Sequence, residues 1–131
     1  MAARRAAIKG ATNAQGQVVD YYTGEVLDPK VVQVDHVYPA ERAWFALCLL
    51  PRDQRIAFAN DPLNLVATSA HLNESKGAQL PGEWLHTVLA VSVDQSHACA
   101  YGLLIRGVAG KWRLPLSPAD EQSIDRACKV G

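Results

Sequence analysis

Asp35, His36, Asn64 and Asn73 are the residues of this 131-residue chain whose types and order can do chemistry. Asp35 and His36 are adjacent at the end of the β-rich run Val31-Val32-Gln33-Val34. Neighbours on a strand point to opposite faces, so a carboxylate there can reach inward to a metal ion while the imidazole reaches toward a substrate. Imidazole has the ordinary side-chain pKa nearest neutrality, so it can take a proton from water at physiological pH. Asn73 offers a hard, neutral oxygen. One carboxylate and one amide oxygen, completed by waters and a substrate phosphate, suit Mg2+. They make a poor zinc site, because sulfur or several imidazoles are lacking. Asn64 carries two donors and an acceptor just ahead of Leu65-Val66. It can bridge the loop carrying His36 to a second strand, orienting the imidazole or holding the intervening excursion closed. An isolated Asp-His pair is mostly structural and an isolated Asn is mostly a turn residue. It is the order and spacing of the four that raises them above that background.

The elements that must position these residues are legible around them. Alternation predicts a strand over 31–36, with Val32, Val34 and His36 on one face and Val31, Gln33 and Asp35 on the other. Glu41 to Leu50 reads as a helix whose Trp44, Leu47 and Cys48 face a core at i, i+3, i+4. Pro51 breaks it and starts a second helix to Ala59, stopped by Asn60-Asp61-Pro62. Leu63 to Thr68 is a second strand, and Ser69 caps a short helix from Ala70 to Lys76 that Gly77 ends.

Outside this stretch, Ala2 to Lys9 is a basic helical arm carrying Arg4, Arg5 and Lys9, either solvated or touching phosphates. Val18–Tyr22 and Glu25–Leu27 read as a small hairpin. Thr87 to Val93 suits a strand or a buried helix. Ser96 to Arg113 is a long helix despite Gly102, Gly107 and Gly110, which close packing would explain. Ser117-Pro118-Ala119-Asp120-Glu121 is a well-capped start for a helix reaching Lys129.

Composition bounds the rest. Lys+Arg and Asp+Glu are equal at 13 each, which weighs against strongly salt-driven nucleic-acid binding but leaves room for a local basic face. Hydrophobic residues make up 49%, enough for one packed core. Cys48, Cys99 and Cys128 contain no C-x-x-C, and their odd number reads as free, reduced thiols used for packing. No apolar h-region follows the basic start, and no run approaches a membrane span of ~20 residues. A soluble cytoplasmic protein is the expectation.

The pattern V-D-H-V-x-P at 34–39, N-D-P-L-N-L-V at 60–66 and N-x-S-K-G at 73–77 resembles the HNH endonucleases, the ββα-metal or His-Me finger superfamily, with Trp44 and Trp84 at matching positions. The resemblance implies an α+β fold: a two-stranded antiparallel hairpin plus short helix, embedded in a mainly helical domain. It divides the chain into an arm at 1–17 and a nuclease domain at 18–131, with the finger at 31–77 and supporting helices at 83–129. It implies His36 as general base, Asn64 as the residue that positions it, and Asp35 and Asn73 as ligands of one Mg2+ or Mn2+, an H-N-N variant. DNA would be cut to 5′-phosphate and 3′-hydroxyl ends. Lys76, Arg42, Arg52 and Arg55 are the candidate phosphate contacts, with little reading of bases. The paired cysteines that hold a structural zinc in many relatives of this type are replaced by Tyr21-Tyr22-Thr23-Gly24. No structural zinc is therefore expected, and packing must serve instead. Glu74 stands where an arginine is frequent. Two further readings stay open: a non-catalytic nucleic-acid-binding scaffold of the same fold, and a nuclease effector delivered against rival cells.

Overall fold

A computed structural model describes residues 2–129; Met1, Val130 and Gly131, the last two within the expected 18–131 domain, lie outside it. The fold is α+β, with seven α-helices and a two-stranded antiparallel ribbon among the described residues. In chain order these are α1 Ala2–Gly10, β1 Val32–His36, α2 Ala40–Leu47, α3 Arg52–Ala59, β2 Leu65–Ser69, α4 Ala70–Lys76, α5 Pro81–Val91, α6 Ser96–Trp112 and α7 Pro118–Ala127.

The ribbon is the floor of the site. β1 and β2 pair from Val32 opposite Ser69 to His36 opposite Leu65. The connection between them is the α2–α3 excursion rather than a tight turn. β2 runs straight into α4 because Ser69 caps it: the Ser69 hydroxyl accepts from the Leu72 amide at 3.0 Å. Gly77, at φ 50°, ends α4 in a conformation that side chains with a Cβ resist.

Behind the ribbon lies the core. Tyr22, Trp84 and Tyr101 meet edge to face, Tyr22 lying 5.0 Å from Trp84 and 5.4 Å from Tyr101 between ring centroids. Val88, Ile105 and Ile124 complete it from α5, α6 and α7. Gly102 allows α6 and α7 to touch, since a Cβ there would come within 2.8 Å of Ile124 Cγ2. The expected cap of α7 is present: Ser117 Oγ accepts from the Asp120 amide and Asp120 Oδ2 from the Ser117 amide.

Packing decides four further expectations and corrects two of them, the buried face of α2 and the state of the cysteines. Val18–Tyr22 and Glu25–Leu27 do pair antiparallel as a small hairpin, through the Val19–Val26 bridge, with the Asp20 amide on the Glu25 carbonyl and the Leu27 amide on the Val18 carbonyl, each at 2.8 Å; the Tyr21 amide reaches the Ala67 carbonyl of β2 at 3.0 Å. Of the two readings open for Thr87–Val93, the helical one holds as far as Val91. On α2 the inward stripe is Ala43 and Leu47, so Trp44 and Cys48 are exposed; among the described residues no element covers the outer side of this helix. Cys99 and Cys128 are a disulfide rather than free thiols, because the start of α6 and the end of α7 come within 4.7 Å between Cα atoms; Cys48 is free. The bridge closes a loop of 29 residues, so its removal should cost about 3–4 kcal/mol by the loop-entropy estimate. Denaturant unfolding of the Cys99→Ala/Cys128→Ala variant checks this; an unchanged midpoint would contradict it. No helix among the described residues is long and apolar enough to cross a membrane.

Candidate functional site

Asp35, His36 and Asn73 line one recess of about 210 Å³, together with Val34, Pro39 and Glu41. The end of β1 contributes the first two, α4 contributes Asn73, and the first turn of α2 contributes Glu41.

The Asp35 side chain is nearly fully buried. Its Oδ2 accepts from the Tyr22 hydroxyl at 2.5 Å and lies 3.2 Å from the Lys76 ammonium. Both contacts fall on that one oxygen, and Oδ1 makes neither. Lys76 is itself wholly buried, and its Nζ also donates to the His36 carbonyl at 3.0 Å. One ammonium thus pins both members of the Asp-His pair. Burial pushes the Lys76 pKa down, while the Asp35 carboxylate beside it pulls the other way. The Tyr22 hydroxyl is held well above its ordinary pKa by burial, then by the neighbouring Asp35 charge. Lys76 was expected to meet phosphate at the surface; it is corrected to an internal partner of Asp35, because α4 turns it inward onto β1.

The imidazole of His36 is fixed from the other side. Its Nε2 lies 2.9 Å from the Ala59 carbonyl at the end of α3, and its ring stacks parallel to Phe58. A carbonyl can only accept, so Nε2 donates this bond, and in the neutral ring that leaves the lone pair on Nδ1. That neutral tautomer is the one a general base needs. A second cleft of about 290 Å³ reaches His36 from the α1 side, lined by Ala3, Arg4, Gln33 and Asn60.

Asn64 is fully buried and clamps the loop after His36: Oδ1 accepts from the Tyr38 amide at 2.7 Å and Nδ2 donates to the Tyr38 carbonyl at 3.1 Å. The Val37 amide reaches the Asn64 carbonyl at 2.9 Å. Of the two roles open to it, holding the excursion closed is the one these bonds perform; the ring is held by Ala59 and Phe58. Asn64→Ala strands two buried backbone groups and should destabilise the chain by about 1–3 kcal/mol for each. Asn64→Asp keeps the acceptor and should lose less. Equal losses in chemical unfolding would contradict this division.

Asn73 donates through Nδ2 to Gln33 Oε1 at 2.8 Å, which leaves its carbonyl oxygen out of that bond. Among the described residues no group of three or more His, Cys, Asp and Glu could hold a metal. The donors at hand are oxygens of Asp35 and Asn73. By type they fit a hard cation that keeps most of its waters.

Of the arginines, Arg42 is paired with Glu83 at 2.9 Å and Arg52 is exposed on α3. Arg55 is half-buried, with its Nε unpartnered. Sequence reasoning missed Tyr22, Gln33 and Glu41 as parts of the site. Gln33 shares a strand face with Asp35, which was a usable signal; Tyr22 comes from a distant loop and gave none.

No family model matches the chain, and no solved structure matches it. A curated relative from Arthroderma benhamiae, an "Uncharacterized secreted protein", is 30% identical over 96 residues, 71% of this chain. The chain spans 44% of that relative's length. The secreted relative overturns the cytoplasmic expectation, and the Cys99–Cys128 bridge agrees, since disulfides persist in oxidising compartments.

Proposed function

We propose that the chain is a metal-dependent endonuclease of the HNH kind, working outside the cell that makes it. It would hydrolyse DNA phosphodiester bonds and leave 5′-phosphate and 3′-hydroxyl ends. The observation that carries this reading is the single recess lined by Asp35, His36 and Asn73, at the junction of an antiparallel ribbon and a short helix. That junction is what a ββα-metal finger requires.

In this reading His36 Nδ1 takes the proton from the attacking water, while Ala59 and Phe58 keep the ring aimed. Lys76 and Tyr22 hold Asp35 by one oxygen, and Asn64 keeps the loop behind His36 closed. Asp35 and Asn73 would hold one Mg2+ or Mn2+, whose chemistry when bound is Lewis-acid stabilisation of the phosphate and the leaving oxygen. Arg52 and Arg55 are the arginines left for phosphate, because Arg42 is engaged by Glu83.

The secreted relative and the disulfide also favour the delivered-effector reading, which shares the chemistry. A non-catalytic scaffold is favoured by one observation, the Asp35–Lys76 ion pair, which occupies the carboxylate with an internal cation. Product ends separate the two. Nicked plasmid made by the protein should be resealed by DNA ligase without prior kinase or phosphatase treatment. Nicks that resist ligation would exclude the proposed ends, and the absence of nicks would support the scaffold.

A further inference from the structure

We infer that α2 carries a base-stacking platform and that the substrate enters the recess as an unpaired, single-stranded segment; this rests on the nuclease reading above. Trp44 is 55% exposed and Phe45 83%. Exposed aromatic side chains offer flat faces on which bases can stack. Glu41, Trp44, Phe45 and Cys48 lie at i, i+3, i+4 and i+7, so they form one stripe of the helix. All four are exposed, whereas Ala43 and Leu47 form the buried stripe. Glu41 is a wall of the Asp35–His36–Asn73 recess. The aromatic pair therefore begins about one helical turn, roughly 5 Å, from that wall.

Charge decides what kind of strand fits. The chain has no surplus of basic over acidic residues, and beside the aromatic pair the candidate phosphate contacts are Arg52 and Arg55, so counterion release from two contacts is modest. Stacking supplies affinity without charge, and it needs a base whose face is free. Paired bases in a duplex hide theirs. Arg52 on the neighbouring α3 is exposed, and Arg55 lies one turn further along it; together they give the modest phosphate contact such a strand requires.

Trp44 also reports on its own occupancy. Trp84 is buried with its Nε1 on Ser75, and Trp112 is half-buried with its Nε1 on Asp61, which leaves Trp44 as the exposed indole among the described residues. The test uses the full chain carrying His36→Ala, so that nothing is cut, and follows tryptophan emission during titration with an oligo-dT strand or a duplex of equal length. Single strand should quench the emission and bind about ten-fold tighter than duplex, which is about 1.4 kcal/mol. The slope of log affinity against log salt should be about −1.4, from two phosphate contacts. Because the Trp44 variants lack the reporting indole, their binding is followed by the anisotropy of a labelled oligo-dT: Trp44→Ala and Phe45→Ala should each weaken single-strand binding several-fold, and Trp44→Phe should keep most of it.

Equal binding of duplex and single strand, or binding indifferent to both substitutions, would overturn the platform. So would self-association through this face by sedimentation, or quenching by anionic vesicles, with no quenching by oligonucleotide. The two readings fail separately. Quenching without cleavage by the wild-type chain removes the catalytic reading and keeps the platform. Cleavage of duplex plasmid without quenching removes the platform and keeps the catalysis.

Discussion

His36→Ala should lower the rate of phosphodiester cleavage by about 10²–10⁴-fold, the usual contribution of a positioned general base. The loss should fall on the maximal rate and leave substrate binding close to wild type, because the imidazole acts on water and not on the nucleic acid. The geometry makes a finer prediction. Nε2 is committed to the Ala59 carbonyl, so Nδ1 is the working atom. An asparagine at 36 offers no comparable base and should be as inactive as alanine. Added imidazole should recover part of the activity of His36→Ala, since the space left beside Phe58 has the shape of the lost ring. Single-turnover cleavage with and without imidazole measures both. Unchanged rates in His36→Ala would remove histidine from the chemistry.

Lys76→Met should be the most damaging change to folding, at about 3–5 kcal/mol, because it leaves the buried Asp35 carboxylate without its cation. Tyr22 would still donate to Asp35, but one neutral hydrogen bond does not replace a charge partner. The physical cause can be isolated by a cycle. Asp35→Asn removes the other charge, and Asp35→Asn/Lys76→Met should be more stable than the sum of the two single losses by a kcal/mol or more. Guanidinium unfolding of the four proteins gives the coupling. Strict additivity would mean that Lys76 contributes by packing its aliphatic stem and not by neutralising Asp35.

The elements flanking the site were readable because their signals are local. Ser69 and Gly77 bracket α4 through contacts within a few residues, and Ser117 with Asp120 does the same for α7. The alternation of β1 put Asp35 and His36 on opposite faces, and they do face different partners: Tyr22 and Lys76 on one side, Ala59 and Phe58 on the other. What sequence could not disclose depends on distant pairings. Lys76 looks like a surface cation in a helix, and only the packing of α4 on β1 makes it internal. Three cysteines allow several pairings, and the choice of Cys99 with Cys128 follows from how α6 lies on α7. Trp44 and Leu47 fit one apolar stripe equally well. The structure buries the flank that carries Ala43 and Leu47, a choice made by the elements α2 packs against and not by its own pattern. The ββα-metal assignment itself, with its metal and its nuclease activity, stays a proposal that rests on the motif and on the recess.

One measurement bears most directly on that proposal: conversion of supercoiled plasmid by the full, disulfide-bonded chain, with Mg2+ or Mn2+, with EDTA, and with His36→Ala in parallel. The account predicts nicked or linear product with either metal, none in EDTA, and a loss of at least a hundred-fold in His36→Ala. Conversion that survives EDTA or the His36 substitution would contradict it, as would a folded wild-type chain that cuts neither plasmid nor single-stranded DNA with any divalent ion.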